Sequence, residues 1–110
     1  MADNKQSILI ATLLMLAAVQ APAFAGGDAG KGERVFKEQC GECHSVEAGH
    51  NRKGPTLFGV VGRTGGSVAD YDYSEAMKAN TESWTEARLD EYIAHPRRVV
   101  HDGKMKYDGL

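Results

Sequence analysis

The chain has 110 residues, with 13 Lys and Arg against 15 Asp and Glu, and a formal net charge of −2. This length suits one small domain, and the slightly acidic balance argues against a nucleic-acid-binding protein. The chain contains only two cysteines, which excludes a four-cysteine zinc site.

The first 25 residues have the pattern of a secretory signal peptide. Lys5 supplies a positive charge, Ile8–Val19 is an apolar run of 12 residues, and Ala21–Ala25 ends in a small-x-small cleavage signature. The apolar run is too short to span a membrane comfortably. We therefore predict a cleaved signal peptide over residues 1–25 and a mature domain over 26–110, with an uncleaved anchor as the alternative.

The mature region opens with a predicted helix. Asp28 is a plausible N-cap, and the helical pattern continues to about Gln39, with Gly32, Val35 and Phe36 near one face. A glycine inside a helix costs about 1 kcal/mol relative to alanine. Gly32 therefore predicts close packing against this helix, unless the glycine is there by chance.

Directly after this helix comes the run Cys-Gly-Glu-Cys-His at residues 40–44. This is the attachment pattern of c-type haem, because each thiol can add to one porphyrin vinyl group. The short turn then carries His44 beneath the iron, where a neutral imidazole can bind it. Haem c is attached outside the cytoplasm, which agrees with the export signal and predicts a periplasmic protein.

A Cys-x-x-Cys pair has two alternative functions, as a redox disulfide or as half of a zinc site. The remaining histidines (His50, His95 and His101) are scattered without zinc-finger spacing. The chain also lacks the alternation of strands and helices in which a thioredoxin-like motif belongs. Both alternatives are therefore weaker than haem attachment.

The rest of the chain reads as short helices joined by long loops. Gly49–Gly66 is glycine-rich and predicted as loop, and Ser74–Ala79 as a short helix. Ser83 and Glu86 resemble a capping box that opens a helix to about Ala94. A further short helix is expected to start at Pro96. No convincing series of strands follows, and such long loops are improbable in a compact domain without a ligand to surround.

From Gly27 onward the chain resembles the class I cytochromes c, particularly bacterial proteins close to the mitochondrial type. The matching segments, in family order, are GDAGKGERVF (27–36), CGECH (40–44), KGPTLFG (53–59), GRTG (62–65), YDYS (71–74), Trp84, YIAHP (92–96) and GKMKY (103–107). The resemblance implies an all-α, cytochrome c-like domain wrapped around one haem c, held through Cys40 and Cys43. It also implies an electron-transfer protein rather than an enzyme.

The resemblance assigns the two axial ligands of the iron. His44 would be the proximal ligand, with its other ring N–H donated to the carbonyl of Pro55. Met105 would be the distal ligand, and its neutral thioether would raise the reduction potential. A core methionine is the alternative for Met105, and His95 or His101 could replace it as ligand.

The resemblance also gives roles to residues around the haem. Tyr73 and Trp84 would donate hydrogen bonds to a buried propionate, and Arg63 would offset its charge. Tyr92 would approach the sulfur of Met105. Three apolar residues are expected as walls of the haem pocket: Leu57, Phe58 and Ile93.

The chain departs from the family at its end. It stops at Leu110, whereas class I cytochromes c continue into a C-terminal helix that crosses the first helix at Gly32 and Phe36. We therefore expect that the C-terminal helix is missing because the sequence is truncated. If the chain is complete, we expect marginal stability or self-association that covers Phe36.

These features predict a periplasmic single-electron carrier with His/Met-ligated haem c. Its partners would be membrane redox complexes, such as a cytochrome bc complex and a terminal oxidase or photosynthetic reaction centre, and not nucleic acid. Four lysines could form a basic rim that steers acidic partners: Lys31, Lys53, Lys104 and Lys106. The alternatives are a five-coordinate haem c protein with peroxidase-like or small-ligand-binding activity, and a docking subunit of a larger redox complex.

Overall fold

The computed structural model describes residues 26–110, so the predicted signal peptide over 1–25 lies outside the described residues. This part of the chain contains four helices: α1 (Ala29–Gln39), α2 (Glu75–Ala79), α3 (Glu86–Ala94) and α4 (Pro96–Val99). The β-structure of residues 26–110 is limited to one antiparallel bridge between Thr64 and Ser83. The predicted all-α class with long loops is confirmed. None of these four helices has the length and apolar character to cross a membrane.

Helix α1 begins and ends where the sequence predicts. The carboxylate of Asp28 accepts a hydrogen bond from the main-chain N–H of Lys31 at 3.0 Å, which caps the helix N-terminus. At the other end, the N–H of Cys40 donates to the carbonyl of Phe36. The face bearing Phe36 is only half-buried. A Cβ built on Gly32 would meet no other segment of residues 26–110 within 4 Å, so the close packing predicted at Gly32 is not made by this part of the chain.

The two short helices also follow the sequence. Ser74 caps α2 by accepting a hydrogen bond from the main-chain N–H of Met77 at 3.1 Å. Pro96 occupies the first turn of α4, where its missing N–H costs nothing. The long Gly49–Gly66 segment is loop, as predicted, apart from its part in the bridge.

Helix α3 starts differently from the prediction. Its N-cap is Thr85, whose hydroxyl accepts from the main-chain N–H of Arg88 at 3.1 Å. The predicted capping box at Ser83 is wrong, because Ser83 and Trp84 pair with the segment at Arg63 and Thr64. The N–H of Trp84 donates to the carbonyl of Arg63 at 2.8 Å. This pairing keeps the chain extended up to Trp84, so the N-cap lies two residues past the predicted cap and the helix begins at Glu86.

The chain surrounds a central cavity of about 690 Å³. Within residues 26–110 the buried apolar residues are correspondingly few, namely Tyr73, Trp84, Pro96 and Val100, and no large side chain there is completely buried. A domain of this size normally buries a continuous apolar core. Here most of the large side chains face the cavity, so a ligand of matching size would complete the core.

Candidate functional site

The residues predicted to be functional line the cavity. The turn after α1 contributes Cys40, Cys43 and His44, and a segment more than 60 residues further along contributes Met105. The end of α1, loop residues, α2 and α3 supply the rest of the lining. The structure therefore places two thiols, an imidazole and a thioether around one apolar space.

The two thiols lie on a single tight turn. The N–H groups of Cys43 and His44 both donate to the carbonyl of Cys40, at 3.1 and 2.9 Å. The sulfurs of Cys40 and Cys43 are not joined in a disulfide. Burial raises the pKa of the Cys40 thiol, and the neighbouring Cys43 raises it further. Among residues 26–110, no group of three His, Cys, Asp or Glu side chains could hold a metal ion, so the structure gives the zinc alternative no support.

The imidazole of His44 is held in one orientation. Its Nδ1 lies 2.8 Å from the carbonyl oxygen of Pro55. A carbonyl can only accept, so Nδ1 carries the proton and Nε2 keeps a lone pair for a metal. Gly54 packs against the ring, since a Cβ there would come within 2.8 Å of both ring nitrogens. The segment around Gly54 and Pro55 thus fixes the ring plane and the tautomer.

The sulfur of Met105 is also oriented by a neighbour. The Tyr92 hydroxyl donates to Sδ of Met105 over 3.9 Å. Burial raises the pKa of Tyr92, which keeps the hydroxyl protonated and able to donate. Tyr92 is itself supported by Trp84, with ring centroids 4.9 Å apart. Tyr92 therefore limits the positions that the thioether can take.

The other three histidines lie away from this site. His50, His95 and His101 are all exposed, and none of them lines the cavity. The side chain of His101 is 90% exposed although it lies only four residues before Met105. Met105 therefore lines the cavity together with His44, whereas these three histidines do not.

One part of the cavity wall is suited to a buried carboxylate. Nη1 of Arg63 donates to the carbonyls of Thr56 and Phe58, at 2.8 and 3.0 Å. Its Nε is buried and has no hydrogen-bond partner within residues 26–110. The Tyr73 hydroxyl accepts from the N–H of Val68 at 3.0 Å, which leaves its own hydrogen available for donation. A propionate would accept a hydrogen bond from the Tyr73 hydroxyl, and the positive charge of Arg63, which also lines the cavity, would offset the charge of the carboxylate, so these residues fit a haem.

The indole of Trp84 also lines the cavity and is 95% buried. Besides Tyr92 it contacts the Arg88 guanidinium, which lies 5.1 Å from the ring centroid. Trp84 is thus a packing residue whatever its part in propionate binding.

Of the three residues predicted to form walls of the pocket, two do not, so the prediction is wrong for them. Leu57 lines the cavity, but the side chains of Phe58 and Ile93 do not, and they are 58% and 38% exposed. Phe58 turns outward because its carbonyl is bound to Arg63 and its N–H to the hydroxyl of Thr56. On α3, the cavity face is formed by Tyr92 and the residue one turn earlier, Leu89, which leaves Ile93 on the outer side.

Sequence reasoning also missed lining residues. Met77 of α2 and Tyr71 both face the cavity, and the Tyr71 hydroxyl donates to the carbonyl of Lys53 at 2.9 Å. Gly54 was recognised only as part of a motif. Its contact with His44 could have been anticipated, since a glycine one residue before Pro55 permits close approach to the ring.

Comparison with known proteins gives a consistent result. Residues 29–108 match the family described as Cytochrome c. The chain is 44% identical over 84 residues to cytochrome c 2.1 of Caenorhabditis briggsae, covering 76% of this chain and 75% of that protein. It is 40% identical over 92 residues to a cytochrome c of Nigella damascena, covering 83% and 80%. With a cytochrome c of Arabidopsis thaliana it shares 42% identity over 85 residues, covering 76% of each.

Proposed function

Because the chain belongs to the cytochrome c family, we propose that it is a periplasmic single-electron carrier whose haem iron is bound by His44 and Met105. Haem c is attached covalently through Cys40 and Cys43, which have the spacing this attachment needs. The protein transfers electrons and is not an enzyme.

One observation carries the ligand assignment. His44 and Met105 line the same cavity, and each has its ligating atom oriented by a second residue, the Pro55 carbonyl and the Tyr92 hydroxyl. When bound, haem supplies a one-electron ferric/ferrous couple. A ligand set fixed on both sides keeps the same geometry in both oxidation states, so little rearrangement accompanies the electron. This is the requirement for a fast carrier.

The remaining cavity residues tune the site and keep water out. Tyr73 offers an O–H donor to a buried propionate, and Arg63 offers a positive charge beside it, since burial of a carboxylate without partners would be costly. The apolar wall around Leu57 and Leu89 lowers the local polarity. A low-polarity site disfavours the extra positive charge of ferric iron, and a thioether ligand acts in the same direction. We therefore expect a positive reduction potential.

Two features support the proposed compartment and partners. The signal-peptide pattern of residues 1–25 supports export, and thioether formation would consume both thiols once the chain is outside the cytoplasm. Cytochromes c exchange electrons with membrane redox complexes. For this chain we propose a cytochrome bc complex as donor, and a terminal oxidase or photosynthetic reaction centre as acceptor.

A methionine substitution tests the ligand assignment. In haem-loaded protein, Met105→Ala should abolish the far-red sulfur-to-iron absorption band and lower the reduction potential. Met77→Leu is the matched control, because Met77 also lines the cavity and should keep both properties. Loss of the band in the Met77 variant, or its survival in the Met105 variant, would overturn the assignment of Met105.

The compartment is tested by fractionation. The full chain should yield haem-stained protein in the periplasmic fraction of a bacterial host with haem c maturation, with residues 1–25 removed. A chain that starts at residue 26 should remain without haem in the cytoplasm. Haem-loaded protein found in the membrane fraction with an intact N-terminus would instead show an uncleaved anchor.

A further inference from the structure

The segment before Met105 contains an Asp-Gly pair, Asp102 and Gly103. In such a pair the main-chain nitrogen of the glycine can attack the side-chain carboxyl of the aspartate, because glycine has no Cβ to obstruct the approach. The nitrogen loses its proton and the carboxyl loses its hydroxyl as water, which closes a five-membered succinimide ring. Hydrolysis at the main-chain carbonyl then consumes one water and leaves isoaspartate, in which the chain runs through the side-chain carbon.

The side chain and main chain of Asp102 are only loosely held. Its side chain is 96% exposed, and its carboxylate lies 3.9 Å from Nδ1 of His101, beyond hydrogen-bonding distance. Among the non-glycine residues of 26–110, Asp102 is the one with a positive φ, at +62°. This left-handed conformation is unfavourable for a residue with a Cβ. The native conformation of Asp102 is therefore weakly favoured, and its carboxyl is free to move towards the next residue.

The attacking nitrogen of Gly103 is also unrestrained. Within residues 26–110, neither the N–H of Gly103 nor the carbonyl of Asp102 is bonded to another main-chain group. Rotation of the peptide group between these two residues therefore breaks no main-chain hydrogen bond. A segment with few such bonds opens at little cost in free energy, so the conformation needed for attack is accessible in the folded chain.

A second Asp-Gly pair, Asp108 and Gly109, is held in place and gives an internal comparison. The carboxylate of Asp108 accepts a hydrogen bond from Nη2 of Arg97 at 2.9 Å. Gly109 packs against the end of α3, where a Cβ would come within 2.9 Å of the carbonyl carbon of Ala94. The N–H of Leu110 donates to a carbonyl of the same helix at 2.9 Å. Attack at Asp108 requires that these contacts be broken first.

We propose that Asp102 is a site of spontaneous isoaspartate formation, and that this modification displaces Met105. The isoaspartyl linkage makes the main chain one carbon longer. On one side of the linkage the chain is anchored by Val100, which is 5% exposed. On the other side, Nζ of Lys104 lies 3.6 Å from a carboxylate oxygen of Asp72. The added length falls between these anchors and directly before Met105. The displacement rests on the proposed function, in which Met105 binds iron, whereas the modification itself does not.

The modification is tested on haem-loaded protein that is aged for several weeks at neutral pH and then digested. An isoaspartyl methyltransferase with labelled S-adenosylmethionine marks the isoaspartate carboxyls, and peptide mapping assigns the label to a residue. The label at Asp102 should exceed that at Asp108 by at least about fivefold, because attack at Asp108 requires the loss of a hydrogen bond. No label at Asp102, or an equal amount at Asp108, would overturn the proposal.

Two variants act as matched controls for the chemistry. Gly103→Ala keeps Asp102 and the net charge, and its methyl group has room, since the nearest atom to a Cβ there is Cγ1 of Val100 at 3.4 Å. The methyl group hinders attack by the neighbouring nitrogen, so the label at Asp102 should fall severalfold. Asp102→Gly removes the carboxyl and suits the positive φ, so no label should appear at this position. An undiminished label in the Gly103→Ala variant would contradict the proposed attack.

The far-red sulfur-to-iron band reports the consequence for Met105. In aged wild-type protein, the fraction that has lost the band should equal the fraction with isoaspartate at Asp102, and the Asp102→Gly variant should keep the band throughout. Modified protein that retains the band would overturn the displacement of Met105. A band that is missing already from fresh wild-type protein would instead contradict the proposed function, and the label at Asp102 would still decide whether the modification occurs.

Discussion

The hydrogen bond from Tyr92 to Met105 gives the sharpest quantitative prediction. A weak hydrogen bond to a thioether contributes about 0.5–1 kcal/mol, and the 3.9 Å separation fits a bond of this kind. The bond draws electron density from the sulfur, which disfavours ferric iron. Tyr92→Phe removes it and leaves the ring in place. The reduction potential should therefore fall by about 20–40 mV, since a one-electron couple changes by 59 mV for each tenfold change in equilibrium constant.

Potentiometric titration of the haem-loaded protein measures this shift. Tyr71→Phe is the matched control, because Tyr71 also lines the cavity but its hydroxyl donates to the main chain of Lys53. The control should leave the potential within about 10 mV of the wild type, a change below about 0.3 kcal/mol. The reasoning is refuted if Tyr92→Phe keeps the far-red band yet leaves the potential unchanged or raises it.

Two further predictions concern stability, both measured by thermal unfolding of the haem-loaded protein. Gly54→Ala should destabilise the protein by about 1–3 kcal/mol, because the added methyl group forces the His44 ring to move. Gly32→Ala should stabilise the protein by about 0.5–1 kcal/mol, because no other segment lies next to Gly32. Equal effects of the two substitutions would contradict the packing described for Gly54. Thr85→Ala should lower the stability by about 1 kcal/mol through loss of the α3 cap, and Ser83→Ala should lower it much less. A larger loss of stability for Ser83→Ala would show that Ser83, and not Thr85, caps the helix.

Local sequence signals predicted the helices well. The caps at Asp28 and Ser74 and the start of α4 at Pro96 depend on neighbours within a few residues, which is the range that a sequence pattern can represent. The error at α3 has a non-local cause. Trp84 is drawn into an extended pairing with Arg63, 21 positions earlier, and this contact overrides the local capping pattern.

The same limit explains what was predicted of the site. The cysteine pair and His44 form one contiguous motif, so their proximity could be inferred without a fold. The ion pair between Asp72 and Lys104 could not be inferred, because the two residues are 32 positions apart and meet only in the folded chain. Counting lysines along the sequence suggested a basic rim, whereas the tertiary structure places an acid beside two of them.

The central claim is that His44 and Met105 together hold the haem iron, and the absorption spectrum of the ferric wild-type protein tests it most directly. The protein is produced with the haem c maturation machinery and measured at neutral pH. The account predicts covalently attached haem with the far-red sulfur-to-iron band present. Covalently attached haem without this band would show that Met105 is not bound, and would contradict the proposed carrier.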